Sequence, residues 1–196
     1  MNKLMGFLEL RHLNIPTVPW KEFSKDAVLE KQYLWTIRTA VNGGNDLNLP
    51  RAVGVTADEA MQKGSEFLDQ LGHKGRVIYY PYFIAEKSGV IEINRNYTVI
   101  EAVEKDLWNF VTYGNKNVTI TYQKDQVEYI GDDSFLSTEE IEGLMRNVRV
   151  IREKYREDIS IGKSIIAEWS FAYNTDIEHQ PMGDKYLVFY ELRSIL

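Results

Sequence analysis

Hydrophobic positions near the start of the chain recur at helical spacing: Leu4, Phe7, Leu8 and Leu10, with Arg11 beside them, form a short amphipathic helix. Pro16 ends it and leaves Ile15, Thr17, Val18 and Trp20 in an extended connection. Ser24, with Asp26 behind it, predicts a brief helix to Lys31. Over 33–41 the aromatic and β-branched residues predict a strand. Tyr33, Trp35, Ile37, Thr39 and Val41 take one face, leaving Arg38 on the other with Leu34, Thr36 and Ala40. Asn42, Gly43, Gly44, Asn45 and Asp46 read as a loop. Thr56 and Glu59 have the spacing of a capping box and open a helix to about Leu71, closed by Gly72 and Gly75.

A buried strand is predicted from Arg76 to Phe83, interrupted by Pro81, which a central paired strand would not tolerate, so a change of lobe is placed there. Short strands follow over 90–93, 97–103, 118–122 and 127–130, joined by turns containing Gly and Asn. One long helix begins at Ser137 and keeps Ile141, Leu144, Met145, Val148, Ile151 and Tyr155 on one face. Strands over 164–173 and 185–195 complete the chain, which holds no internal repeat, low-complexity tract or flexible linker. The pattern is that of a single α+β domain with mainly antiparallel sheets. Its N-lobe covers about residues 1–80 and its C-lobe about 81–196.

At 196 residues, with 44% hydrophobic and 27% charged side chains, the chain is long enough to bury a core without staples. It contains no cysteine, which excludes disulfides, thiolate metal sites and a thiol nucleophile. With no signal-peptide pattern and no apolar run near the ~20 residues that span a bilayer, a cytoplasmic protein with no membrane segment is expected. Basic residues number 23 against 29 acidic, a net charge of −6, so no global field draws in nucleic acid. His12, His73 and His179 lack metal-ligand spacing, and no hydrolase, dinucleotide-binding or Walker-type motif is present.

The chemistry-bearing residues lie near the carboxyl end. Glu168 and Ser170 face away from the apolar side of their strand, and Glu191 and Arg193 share the face opposite Tyr190 and Leu192. If the two strands pair with Tyr173 opposite Tyr186, Glu168 lies across from Glu191. Two carboxylates ~5 Å apart repel by roughly 3 kcal/mol at an effective dielectric of about 20, so a compensating cation is expected. Mg²⁺, which takes hard oxygen ligands together with waters and substrate phosphates, would supply it, and Arg193 could contact a phosphate. The alternative is a solvated sheet face carrying a Glu–Arg ladder. Arg38 reads as a phosphate ligand or a surface ion pair, Lys3 as a solvated terminal residue, and Glu101 as a carboxylate needing a partner or an exposed strand end. Tyr79, Tyr80, Tyr82 and Phe83 read as packing, with a base pocket as the alternative.

Taken in order, these pieces resemble the nucleotide-binding domain of the phosphoenolpyruvate synthase and pyruvate phosphate dikinase family, an ATP-grasp-like fold. Asn2-Lys3-Leu4-Met5-Gly6-Phe7-Leu8-Glu9-Leu10 and the later Val18-Pro19 are similar to that family's opening G-x-K-x-x-N-L-x-x-L and V-P. Trp35-Thr36-Ile37-Arg38-Thr39-Ala40 resembles its V-R-S-S-A strand, and the stretch from Val77 through Pro81 and Phe83 to Val90 resembles the segment joining the lobes, where adenine binds. Ile100-Glu101-Ala102 is similar to I-E-A, Ala167-Glu168-Trp169 to I-E-W, and Tyr190-Glu191-Leu192-Arg193-Ser194-Ile195 to Q-x-R-P-I, with Glu191 standing where the family has glutamine.

The resemblance implies two lobes around a nucleotide cleft, with ATP and Mg²⁺ as cofactors. Glu168 and Glu191 would hold metal, Lys3, Arg38 and Arg193 would contact phosphates, with the two arginines also in a catalytic role, and Glu101 would face the ribose or the metal. It also implies phosphoryl transfer to a separate acceptor, such as a histidine-bearing protein in trans, since the family's swivelling histidine domain has no room in this chain. The alternative is a non-catalytic relative serving as a ligand-sensing or protein-interaction module.

Overall fold

The computed structural model describes residues 3–43, 49–107 and 116–195. The chain forms two antiparallel sheets and few helices, an α+β architecture. The small sheet has the order β1-β4-β2-β3, from β1 (Lys21–Glu22), β4 (Gly75–Pro81), β2 (Trp35–Val41) and β3 (Arg51–Val55). The large sheet has the order β10-β9-β5-β6-β7-β8. Its strands are β10 (Pro181–Ile195), β9 (Ser164–Thr175), β5 (Phe83–Ile93), β6 (Tyr97–Glu104), β7 (Val118–Gln123) and β8 (Gln126–Gly131). The chain passes from one sheet to the other at Tyr82, just after Pro81 ends β4.

Both capping boxes foreseen in the sequence are present. Thr56 and Glu59 cap α2 (Ala57–Leu71), and Ser137 and Glu140 cap α3 (Thr138–Lys154), which a short α4 (Arg156–Ser160) follows. Two local expectations fail. The segment after Ser24 is a turn, in which the Ala27 N–H donates to the Ser24 carbonyl, rather than a helix. Leu29 is drawn into the core beneath α2, a tertiary contact that outweighs the weak helix preference of so short a stretch. Strand β3 was not foreseen, and Gly44, Asn45 and Asp46 of the expected loop before it lie outside the described residues.

Each sheet buries one face against helices. Trp35, Ile37, Val77 and Tyr79 of the small sheet pack on Ala57, Ala60 and Phe67 of α2. In the large sheet, Ile91, Ile100, Ala167, Trp169 and Leu192 pack on Leu144, Val148 and Ile151 of α3 and on Leu10 of α1 (Lys3–His12). A third apolar cluster joins the sheets to each other. Ile78 and Tyr80 of β4 meet Ala172, Val188 and Tyr190 of β9 and β10, with Phe7 of α1 and Trp20 between.

Helix α1 lies directly on β10: a Cβ placed on Gly6 would stand 2.1 Å from the Leu192 carbonyl oxygen, so only glycine permits this approach. At the far side of the sheet the amino end of α3 is tied down by charge. Glu140, buried, accepts hydrogen bonds from Lys87 at 2.7 Å and Lys185 at 2.9 Å, and Lys185 also reaches Glu86 at 2.9 Å. Burial alone would raise the Glu140 carboxyl, but the bonds from Lys87, the Ser137 N–H and Lys185 outweigh it and hold it below the ordinary carboxylate value. No helix among the described residues is long and apolar enough to cross a membrane.

Two outcomes follow from this packing. Gly6→Ala forces α1 away from β10 and lowers stability by about 1–3 kcal/mol in urea unfolding. Because the Glu140 pKa is lower folded than unfolded, its contribution is complete above the ordinary value of 4.5 and is lost as pH falls through the lowered folded value. Glu140→Gln therefore costs about 2 kcal/mol near neutrality and flattens the acid limb of the stability profile.

Candidate functional site

The row of residues running across the large sheet through Glu168 carries the expected acids. Glu101 of β6 is the partner of Val90 of β5, Val90 of Glu168 on β9, and Glu168 of Glu191 on β10, so all four share one face. The opposed glutamates are as the sequence suggested, but the register that was assumed for them is not. Tyr186 pairs with Ala172 rather than Tyr173, and a bulge between Phe189 and Glu191 then shifts β10 by one residue and brings Glu191 opposite Glu168. The bulged residue, Tyr190, is buried, with its phenol pushed to a higher pKa by burial and then by the Glu168 charge.

The counter-charge for Glu191 comes from the other sheet. Arg38, on the face of β2 turned away from α2, donates from Nη2 to Glu191 Oε2 at 2.9 Å, with only 14% and 6% of the two side chains exposed. Its guanidinium lies 5.3 Å from the centre of the Phe7 ring. Burial works against the charge on Arg38, but Tyr80, Glu191 and Glu168 outweigh it and lift the pKa further above its usual value, so the group is permanently cationic. Tyr80 is itself raised, by burial first, and stays protonated. Deeper along the same face Ser88 and Ser170 share a hydrogen bond of 2.8 Å.

The remaining sequence candidates are placed as follows. Arg193 is 45% exposed, with Nη2 3.9 Å from Glu168 Oε1. Glu101 is ion-paired with Lys116 on the same face as the other two acids. Lys3 begins α1, and its side chain lies outside the described residues. Sequence reasoning did not anticipate Phe7, Tyr80, Tyr190 or Lys116 around the acids, nor Arg51, the β3 partner of Arg38. The only signal for Phe7 was its place in an apolar run, which reads as packing; Tyr80 was read as packing with a base pocket as the alternative, and it lies in the apolar cluster between the sheets, beside Arg38. A cavity of ≈ 420 Å³ lies towards the β9–β10 hairpin, lined among others by Pro19, Pro81, Phe83, Asn174, Tyr186 and Val188.

The sequence argument required a cation between Glu168 and Glu191, and the protein supplies arginine in that role. Among the described residues no group of three or more Asp, Glu or His side chains is arranged to hold a metal ion. Two carboxylates on neighbouring strands nevertheless match what Mg²⁺ takes from a protein when phosphates and waters complete its shell, and Arg38 and Arg193 are suited to phosphate oxygens. The donor set fits such a group on condition that Glu191 exchanges its present partner.

No family model and no curated protein matches this chain. Its fold is that of ATP-grasp enzymes. It is similar to the N5-carboxyaminoimidazole synthetase from Staphylococcus aureus, at 12% identity and a TM-score of 0.54, over 97% of this chain and 43% of that one. The macrocyclase MdnC from Microcystis aeruginosa, solved with its precursor peptide MdnA, matches at 9% identity and a TM-score of 0.51, over 97% of this chain and 51% of that one. The D-alanine-D-alanine ligase from Helicobacter pylori matches at 13% identity and a TM-score of 0.50, over 98% and 50%. The chain thus spans about half the length of these enzymes, and identities this low establish the fold alone.

Arg38→Met leaves Glu191 buried without its partner and is expected to lower stability by about 3–5 kcal/mol, whereas the double change Arg38→Met with Glu191→Leu recovers most of that loss. A double-mutant cycle in urea, read by tryptophan fluorescence, checks both.

Proposed function

We propose that this chain is a Mg·ATP-binding domain acting in phosphoryl transfer or ATP-dependent ligation. The observation that carries the reading is the row of Arg38, Glu191, Glu168 and Arg193 at the meeting of the two sheets of an ATP-grasp fold. Glu168 and Glu191 would hold the metal, Lys3, Arg38 and Arg193 would contact phosphates, and Glu101 would face the ribose or the metal. One of the similar structures, the S. aureus synthetase, holds ADP. On this reading the base takes the cavity beside Pro81 and Phe83, whose Asn174 and Tyr186 share the sheet face of Glu168. The volume is in the range of small-ligand pockets.

The metal would draw charge from the phosphate oxygens. The chain's own contribution is positional: Arg38, held by Phe7 and Tyr80, presents fixed positive charge where negative charge develops, and the buried aromatic residues around it exclude water. The acceptor is a small molecule or another protein. The similar enzymes are synthetases, ligases and cyclases by name, which favours ligation over a histidine-bearing acceptor in trans; membership of the phosphoenolpyruvate synthase family rests on the motifs alone.

A second reading is favoured by one observation: the opposed glutamates already have arginine partners, and Phe7, Trp20, Tyr80 and Tyr190 fill the space between the sheets beside them. Such a chain would keep the fold as a non-catalytic sensing or interaction module. Thermal unfolding separates the two. Mg·ATP at 100 times its Kd adds about 2.7 kcal/mol, a rise of roughly 5–10 °C in Tm for a chain of this size. Glu168→Ala and Arg193→Ala should each reduce that rise. An unchanged Tm at millimolar Mg·ATP selects the second reading.

A further inference from the structure

We infer that the Arg38–Glu191 pair is a partner-exchange latch, which admits a metal–nucleotide complex but refuses the metal or the nucleotide alone. This rests on the Mg·ATP reading and adds a selectivity to it. The pair bridges the two sheets at 2.9 Å, with 14% and 6% of the side chains exposed, so water cannot replace either partner. A metal-free nucleotide that draws Arg38 to its phosphates leaves Glu191 buried, unpaired, and next to added negative charge. A divalent ion that draws Glu191 away leaves Arg38 buried beside added positive charge. When both arrive, Arg38 turns to phosphate and Glu191 to the metal, and no charge is stranded.

The surroundings suit an exchange. Arg38 has contacts independent of Glu191, the Phe7 ring at 5.3 Å and the polar pull of the neighbouring Tyr80 phenol, so it keeps its place when the carboxylate leaves. Glu191 follows the bulge in β10 and has Glu168 as its partner on β9, so a second carboxylate is at hand for the same ion. Arg193 is half out in solvent and 3.9 Å from Glu168. Of the two arginine pairs on this face, the one on Glu191 is the shorter and the more buried.

The latch is tested by equilibrium binding on the whole chain, with ATP in EDTA, ATP with Mg²⁺, and Mn²⁺ alone followed by the electron paramagnetic resonance of the free ion. The wild-type chain should bind ATP about a hundredfold more tightly with Mg²⁺ than in EDTA, and should not bind Mn²⁺ alone at millimolar concentration. Glu191→Gln keeps a hydrogen-bond acceptor for Arg38 but removes the charge, and should raise affinity for ATP in EDTA by about tenfold while weakening Mg·ATP. Glu168→Gln removes an equal charge from the same row but leaves the 2.9 Å Arg38–Glu191 bond in place, and should raise metal-free binding severalfold less than Glu191→Gln does.

Arg38→Met gives an independent arm, because it releases Glu191 from its partner, and Mn²⁺ alone should then bind at millimolar concentration or below. Near-ultraviolet circular dichroism confirms that each variant is folded, and either arm decides the question if the other variant is not. Equal gains from Glu168→Gln and Glu191→Gln, or tight wild-type binding of metal-free ATP, would overturn the latch and leave the nucleotide reading standing. Failure of the wild type and all variants to bind ATP under any condition would overturn both.

Discussion

Two carboxylates on adjacent strands cannot share a buried sheet face without a counter-charge, and the way Glu168 and Glu191 meet that requirement organises the molecule around them. The cation for Glu191 is brought by β2 of the other sheet, 153 residues away in sequence. A constraint arising within one sheet thus fixes the position of the second. Such a pair adds little net stability over an apolar contact of the same shape. What it fixes is geometry: strand β2 cannot slide along β10 without stranding a charge.

The apolar cluster between the sheets works with the same constraint. Phe7, Tyr80 and Tyr190 surround the pair, and the two phenols remain protonated because their anions would be buried. Phe7 is carried by α1, whose close seat on β10 depends on Gly6. A helix at the amino end, a strand at the carboxyl end and a strand of the small sheet therefore converge on one point.

What could be read from the sequence was what is encoded locally. The capping boxes at Thr56 and Ser137 and the alternation that turns Glu168 and Ser170 away from the face packed on α3 are decided within a few residues, and all are found. The opposition of Glu168 and Glu191 was also reached, although from a hairpin register one residue away from the real one. What escaped depends on distant parts of the chain. The partner of Arg38 lies on another sheet, Leu29 takes its place from α2 rather than from a helix of its own, and β3 exists because β2 offers it an edge. The need for a cation was legible in the two acids, but which cation answers it was not.

The bulge at Tyr190 bears on how this chain should be aligned with others. Continued without it, the hairpin register that pairs Tyr186 with Ala172 would set Glu191 against Ala167, on the side of the sheet that packs against α3, and Tyr190 against Glu168. One extra amino acid therefore separates a carboxylate turned to Arg38 of the other sheet from a carboxylate facing the apolar layer under α3. Insertions and deletions between the hairpin tip and the end of β10 should be absent from functional descendants unless they occur in compensating pairs. An alignment that slips by a single column there would assign the wrong side chain to the site.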